Sequence, residues 1–295
     1  MPLLKNEWLQ INIKPKGAEL SNITSVKHDT EFMWQADPAI WGSHAPNLFP
    51  IIGALKNDTY NYNGKVYHMP KHGFLRNSSQ FSVSYETDTK VTFSLNSNPE
   101  LYAIYPFLFQ FELTYELIEN RLLVHHRIQN LDDKALYFSV GGHPAFKCPL
   151  FKNEAYTDYY LEFEKPEKSE SYILNMNTGL VTDQTKPVFN ENKILLRPDL
   201  FKEDALIFKD LKSKKVTLKH KTNGAILTVS FDDFPFLGIW AKPNAPYVCI
   251  EPWLGIADSE STSQQLIEKE GIIELATNST FKASYAIVID NALLV

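Results

Sequence analysis

Short segments in which apolar and polar residues alternate recur from one end of the chain to the other. Two of the longest, residues 107–117 and 122–128, are separated by the turn-like residues 118–121. A period of two places successive side chains on opposite faces of a β-strand, so each segment can bury one face and expose the other. Only residues 263–269 have a helical pattern, and no repeat of the length typical of a propeller occurs. The sequence therefore predicts an all-β fold, an antiparallel sandwich of two sheets.

The length of the chain bears on the number of domains. Its 295 residues, of which 44% are hydrophobic, are enough to bury a large core. Length alone allows either two domains or one large all-β domain. Because the strand pattern continues throughout the chain, we expect a single domain over residues 1–295.

Charge and composition exclude several classes of partner. The formal net charge is −6 at pH 7, and no cluster of Lys and Arg is interleaved with aromatic residues as in a nucleic-acid-binding surface. No segment approaches the ~20 apolar residues of a membrane span, and the N-terminal residues lack the apolar core of a signal peptide. We therefore expect a cytoplasmic protein with no nucleic-acid or membrane partner, either a monomer or a weak homodimer. Cys148 and Cys249 lack CxxC spacing, so we expect free thiols rather than disulfide partners or metal ligands.

A strand-like run, residues 135–140, leads directly into Gly141, Gly142, His143 and Pro144. Two glycines allow close approach of the backbone or a positive φ, while the proline biases His143 toward an extended conformation and ends the hydrogen-bond ladder. We therefore expect His143 at a strand end with its ring held in place. An imidazole so placed can donate or accept a proton near neutral pH. Taken alone, however, the segment favours a structural histidine.

Residues 69–77 form a second polar cluster, between two predicted strands. In it His72 precedes Gly73, and Arg76 follows His72 by four positions. The guanidinium of an arginine presents a fixed fork of donors, which suits recognition of hydroxyl or phosphate groups. The alternative is a surface arginine that pairs with a carboxylate.

The third cluster is centred on Glu251, which follows four apolar or aromatic residues and precedes Pro252. We expect it at a strand end before a proline, as for His143. A glutamate there is costly to bury without a partner, and partial desolvation raises its pKa. We interpret Glu251 as either a salt-bridged structural residue or a general base.

The long loop at residues 35–50 contains three prolines together with Trp41 and His44. Loops of this length and aromatic content often have a function. Packing of the loop against the body of the fold would explain the same residues equally well.

Three of these segments follow one another in a set order: residues 71–76 read KHGFLR, residues 141–146 read GGHPAF and residues 249–253 read CIEPW. Together they resemble the motifs of the aldose 1-epimerase (galactose mutarotase) superfamily. The resemblance runs the length of the chain, including residues 270–275, and is greatest to the bacterial LacX-type branch. It implies a large antiparallel, galactose mutarotase-like β-supersandwich with the sugar in an open cleft across one sheet.

The resemblance also implies roles for individual residues. His143 matches the general acid of the family and Glu251 its general base. His72 matches a second histidine, which binds the sugar, and Arg76 lies in the same segment. Asp204 is the best match to a carboxylate that binds sugar hydroxyls.

Other features bear on the sugar itself. Trp240 and Trp253 are candidates for aromatic faces that contact the C–H surface of the sugar, with plain core packing as the alternative. The segment at residues 47–53 reads NLFPIIG where the better-known galactose mutarotases have an Asn-Arg pair, and residues 251–253 read EPW where they have Glu-Thr-Gln. Both differences argue against assuming galactose as the substrate, but neither alters the two catalytic positions.

The activity implied is interconversion of the α and β anomers of a hexose or related sugar. A base removes the proton of the C1 hydroxyl while an acid protonates the ring oxygen, and rotation and reclosure follow. We expect attraction between Glu251 and His143 to raise the pKa of the histidine. Because only protons move and no redox step occurs, we expect no metal and no cofactor, and the sugar is the partner.

Three other functions stay open. A hexose-6-phosphate 1-epimerase would need two or more cations at the cleft, for which Arg76, Lys71 and Lys56 are available. A non-catalytic carbohydrate-binding module would use the same histidine and glutamate only to hydrogen-bond a ligand. A glycosidase would use Asp204 and Glu251 at the carboxyl separation that retaining or inverting chemistry demands.

Overall fold

The computed structural model describes residues 2–295 and consists mainly of β-strands and the turns between them. In chain order the first twelve strands are β1 (Leu3–Lys5), β2 (Leu9–Lys14), β3 (Glu19–Ser25), β4 (Asn47–Leu48), β5 (Thr59–Tyr62), β6 (Lys65–His68), β7 (Ser82–Glu86), β8 (Lys90–Asn96), β9 (Phe109–Ile118), β10 (Arg121–Asn130), β11 (Leu136–Phe138) and β12 (Val140–Gly142). The strands that follow are β13 (Ala145–Lys147), β14 (Tyr159–Phe163), β15 (Ser171–Leu174), β16 (Val181–Lys186), β17 (Lys193–Leu195), β18 (Leu206–Phe208), β19 (Lys215–His220), β20 (Gly224–Ser230), β21 (Phe236–Trp240), β22 (Tyr247–Leu254), β23 (Ile273–Leu275) and β24 (Thr280–Ile289).

Most of these strands form two large sheets. One has nine strands in the order β17-β14-β19-β20-β24-β10-β9-β8-β7. The other has eight strands in the order β16-β15-β18-β21-β22-β12-β4, and β13 also pairs with β22. Smaller sheets are formed by β1-β2-β3, by β5-β6 and by β11-β23. The predicted all-β antiparallel sandwich is confirmed.

The alternation of the sequence is reproduced in the burial of the strands. In β9 and β10 every second residue is buried, and all of these side chains except those of His126 and Asn130 belong to the main apolar core. A second, smaller apolar cluster draws all its strand residues from the eight-stranded sheet; it consists of Leu48, Ile52, Leu174, Val181, Ile207, Trp253, Ile256 and Ala257. The eight-stranded sheet therefore has apolar contacts beyond the main core, on the side where the cavity described below lies.

Helical structure is sparse and differs from the sequence prediction. The α-helix α1 (Pro99–Ile104) was not predicted; it begins where Asn98 accepts a hydrogen bond from the Leu101 N–H at 3.0 Å, with a proline at the first helical position. The helix predicted at residues 263–269 is wrong, because only a 3-10 turn, Leu266–Glu268, forms there. Gln264 has a φ of 60°, which a right-handed helix cannot include. Within residues 2–295 no helix is both long and apolar enough to cross a bilayer.

The two glycines before His143 allow close approach of neighbouring groups rather than a positive φ. A Cβ on Gly141 would lie 2.6 Å from the backbone oxygen of Pro252, and one on Gly142 would lie 2.5 Å from the Tyr285 hydroxyl oxygen. Neither glycine is in the left-handed region. Close packing of β12 against its neighbours therefore requires residues without side chains.

Gly141→Ala is expected to lower the free energy of unfolding by about 1–3 kcal/mol, because the added methyl group meets backbone that cannot rotate away. Gly42→Ala is the matched control, since the nearest atom to a Cβ there is 3.9 Å away, and it should change stability by less than ~0.5 kcal/mol. Urea unfolding midpoints measure both. Equal midpoints for the two variants would contradict the proposed steric role of Gly141.

Candidate active site

The register of three strands brings His143 and Glu251 together. β12 pairs with the end of β22 and β13 pairs with its start, in one continuous register. This register places His143, which lies between the two short strands, opposite Glu251. Pro144 and Pro252 cannot donate to the ladder at this point. As a result the His143 Nε2 and the Glu251 Oε2 are 3.2 Å apart.

The two residues differ in how they sit in their strands. His143 directly follows the last residue of β12, so its predicted place at a strand end is confirmed. The same prediction for Glu251 is wrong, because β22 continues through Pro252 to Leu254. The strand continues because pairing with β21, where Pro252 lies opposite Leu237, goes on past the proline.

Burial controls the protonation of this pair. Glu251 is 1% exposed and His143 is 7% exposed. Burial lowers the pKa of His143 to about 3, and the positive charge of Arg76 adds to the effect. Burial also raises the pKa of Glu251 well above its ordinary value, and the charge of Asp204 acts in the same direction. The expected rise in the pKa of His143 is therefore wrong, and burial favours the uncharged form of both groups.

Hydrogen bonds and burial define the tautomer and the neutral state of the His72 ring. It has a φ of 68°, uncommon for a residue other than glycine, and Gly73 follows with a φ of 73°. The Gly53 N–H donates to the His72 Nδ1 at 3.1 Å, and the His72 N–H donates to the Gly53 oxygen at 2.9 Å. Burial lowers the pKa of His72 well below its usual range. The ring is thus assigned as neutral, with its proton on Nε2 as a donor.

All six predicted site residues line one cavity of about 230 Å³: His72, Arg76, His143, Asp204, Glu251 and Trp253. Lys71 also lines this cavity. Lys56 does not, because its Nζ donates to the Glu260 oxygen at 2.9 Å instead. The structure therefore brings together residues from four segments that are far apart in the chain.

The aromatic residues of the cavity include one to which the sequence analysis gave no role. Trp41 stacks on His143, with ring centroids 5.1 Å apart and an angle of 29° between the planes. Trp240 meets His143 edge-on at 5.8 Å, and Trp253 both lines the cavity and packs in the second apolar cluster. The sequence signal for Trp41 was the aromatic loop at residues 35–50. His44 of that loop lies elsewhere, with its Nδ1 3.1 Å from the Lys14 Nζ.

One group of side chains in the part of the chain that the structure describes could hold a metal ion. The potential ligand atoms of His143, Cys249 and Glu251 all lie within 4.8 Å of one another. Burial raises the pKa of the Cys249 thiol as well as that of the Glu251 carboxyl group. Both shifts favour the protonated groups, which bind a cation less readily than a thiolate and a carboxylate do.

Comparisons with known proteins agree on one family. The sequence model of the family described as aldose 1-epimerase matches residues 3–265. Two proteins of Lactococcus lactis subsp. lactis, "Protein LacX, plasmid" and "Protein LacX, chromosomal", are 36% identical to this chain over 297 residues, which cover 98% of this chain and 99% of each relative. Among solved structures, a galactose mutarotase related enzyme from Lactobacillus acidophilus gives a TM-score of 0.92 and 38% identity over 98% of this chain and 96% of that one. A galactose mutarotase-like protein from Lactobacillus casei ATCC 334 gives a TM-score of 0.91 and 28% identity over 98% of this chain and 100% of that one.

The imidazole of His143 is expected to stay uncharged at pH 5, because its pKa is lowered from 6.5 to about 3. As the pH falls, the imidazole of His143 is therefore protonated in the unfolded chain before it is protonated in the folded protein. Burial of neutral His143 therefore contributes stability that is fully present above about pH 6.5 and is lost toward pH 3.

NMR of protein labelled with ¹⁵N-histidine measures this directly, with the resonance assigned through His143→Asn. The same protein unfolded in urea serves as the reference and should titrate near pH 6.5. A midpoint near 6.5 for His143 in the folded protein would contradict the assignment.

Proposed function

The chain belongs to the aldose 1-epimerase family, and on that premise we propose that it interconverts the α and β anomers of a hexose or related sugar. The observation that carries the proposal is the pair of His143 and Glu251, 3.2 Å apart and buried at the cavity. Mutarotation needs one acid and one base that act on neighbouring oxygens of the same sugar. A buried cross-strand pair of one histidine and one glutamate supplies both groups.

The proposed reaction begins with ring opening. Glu251, as carboxylate, takes the proton of the C1 hydroxyl, and His143, as imidazolium, gives its proton to the ring oxygen as the C1–O5 bond breaks. Rotation about C1–C2 then exposes the other face of the carbonyl group. On reclosure Glu251 returns its proton to the carbonyl oxygen, and His143 removes the proton of the O5 hydroxyl. After one full cycle His143 and Glu251 carry the same protons as at its start.

The uncharged forms that burial favours correspond to one stage of the proposed cycle. Burial favours neutral His143 and protonated Glu251, which is the arrangement reached after ring opening. Ring opening instead needs the proton on His143, with Glu251 as carboxylate. The Glu251 Oε2 lies 3.2 Å from the His143 Nε2 but accepts no hydrogen bond from the residues that the structure describes, so the two groups must realign before the proton can move between them. The stacked face of Trp41 favours the imidazolium that this transfer creates.

The remaining cavity residues are proposed to hold the sugar. The Nε2–H of His72 and the guanidinium of Arg76 are donors to hydroxyl oxygens, and the carboxylate of Asp204 accepts from hydroxyl groups. Trp240 and Trp253 offer aromatic faces to the C–H surface of the ring. This division of polar and aromatic groups is what a small, hydroxyl-rich ligand requires.

His143→Asn and Glu251→Gln are each expected to slow catalysed anomer relaxation by about 10²- to 10⁴-fold, because each removes one of the two proton-transfer groups. The measurement is polarimetry of freshly dissolved α-glucose and α-galactose. His125→Asn and Glu116→Gln are matched controls on the nine-stranded sheet, outside the cavity, and should keep the wild-type rate.

Two outcomes would count against the proposal. If wild-type protein leaves the relaxation of every sugar unchanged, a carbohydrate-binding module becomes the better assignment. If wild type is active and both site variants keep its rate, the acid/base roles are wrong.

A hexose-6-phosphate 1-epimerase is the second candidate, and the positive charges at the cavity favour it. Lys71 and Arg76 both line the cavity, and within residues 2–295 neither has a carboxylate oxygen within 4.0 Å. Arg76 donates to the Ser43 hydroxyl at 3.3 Å. With Lys56 turned away, two of the three cations suggested by the sequence remain available for a phosphate group.

If the substrate is phosphorylated, kcat/KM for glucose 6-phosphate should exceed that for glucose, and Lys71→Met and Arg76→Met should each reduce it about 10- to 100-fold, since hydrogen bonds to charged groups contribute about 1.5–3 kcal/mol. Lys71→Met should affect glucose much less, and Arg76→Met should reduce activity on glucose by less than on glucose 6-phosphate, since Arg76 is also proposed to donate to a hydroxyl group of the free sugar. A coupled assay follows the phosphorylated sugar and polarimetry the free one. Equal losses for both sugars would exclude a phosphate-binding role for the two cations.

A further inference from the structure

A buried ion pair lies outside the proposed catalytic pair and is not used by it. Lys269 is 6% exposed and Asp258 is 4% exposed. The Lys269 Nζ donates to the Asp258 Oδ1 at 2.9 Å and to the Ile256 oxygen at 2.6 Å. Removing two charges from water is costly, and such pairs often contribute little net stability. The contacts of Asp258 with other parts of the chain indicate a role for this pair other than stability.

Asp258 fixes a second segment of backbone, residues 53–56. Its Oδ2 accepts the Lys56 N–H at 3.0 Å. Its own N–H donates to the Ala54 oxygen at 2.9 Å. Both oxygens of the carboxylate are thus occupied, one by Lys269 and one by this segment. Asp258 is held by the ammonium group on one side and holds the backbone on the other.

The same segment holds His72. Gly53, next to Ala54, exchanges two hydrogen bonds with His72: its N–H donates to Nδ1, and its oxygen accepts the His72 N–H. Gly53 also packs directly on Ala257, because a Cβ on Gly53 would lie 2.4 Å from the Ala257 Cβ. Gly53, Ala257 and His72 all line the cavity. A continuous series of contacts therefore leads from Lys269 to the His72 ring.

We propose that Asp258 and Lys269 are positioning residues, which fix Gly53 and thereby set the orientation and the tautomer of His72 in the cavity. The pair acts on sugar binding through His72 and does not touch the sugar itself. The inference rests on the proposed function only in taking His72 to contact the substrate. A well-packed apolar pair of the same size would fill the space but could not accept the Lys56 N–H.

Lys269→Met tests the proposal, because it keeps the length of the side chain and leaves Asp258 without its partner. We expect KM for the sugar to rise about tenfold while kcat changes less than about twofold. In a His72→Asn background the same change should have less than about a twofold effect, since the residue through which it acts is absent. Lys209→Met is the matched control, as Lys209 pairs with the exposed Glu270 at 2.7 Å and lines no part of the cavity.

A second readout does not depend on activity. In wild type, ¹⁵N NMR should show separate shifts for an unprotonated Nδ1 and a protonated Nε2 of His72, and Lys269→Met should merge them toward a mixture of tautomers. If wild type shows no epimerase activity, the proposed function fails while this test still decides the positioning role.

A purely structural role gives a different result. Lys269→Met would then lower the melting temperature but leave KM and both His72 shifts as in wild type, and this outcome would overturn the proposal. If the single variant does not fold, Asp258→Leu combined with Lys269→Met takes its place, because this double variant buries no unpaired charge and removes the acceptor of the Lys56 N–H. A double variant with wild-type KM and wild-type His72 shifts would also overturn the proposal.

Discussion

The pairing of β22 with β12 and β13 is the constraint on which the site depends. Two short strands share one long partner in a single register, and the gap between them is where His143 meets Glu251. Pro144 and Pro252 remove backbone donors beside the two reactive side chains without ending β22. The sheet thus fixes the separation of the two backbone positions from which the side chains of His143 and Glu251 reach one another.

Desolvation then determines what the paired groups can do. In water a carboxylate is charged near neutrality and an imidazole titrates close to it, but in this site burial favours the neutral form of each. His72 follows the same logic, since burial and the Gly53 N–H together leave it neutral with one defined donor.

Sequence motifs identify the candidate site residues of this chain, but they do not predict the geometry that joins these residues. His143 and Glu251 stand out as titratable residues before a proline in a strand pattern, but their proposed catalytic roles come from the resemblance of the three motifs to the family. Their pairing and their pKa shifts are not predictable, since both depend on register and burial between distant segments. The contact of Trp41 with His143 is likewise not predictable, although the aromatic loop at residues 35–50 marks Trp41 itself. The helix Pro99–Ile104 escapes prediction because its signals are the cap at Asn98 and a proline rather than an apolar period.

The separation of His143 and Glu251 along the chain has a consequence for how the protein acquires its chemistry. Joining distant strands costs loop-closure entropy before any contact repays it, and non-local pairing slows folding. The β9–β10 hairpin can form from neighbouring residues, whereas His143 and Glu251 meet only once β22 has paired with β12 and β13. A nascent chain that has not yet made these pairings therefore lacks the candidate site, and under the proposed function an assay of anomer relaxation would count only molecules that have made them.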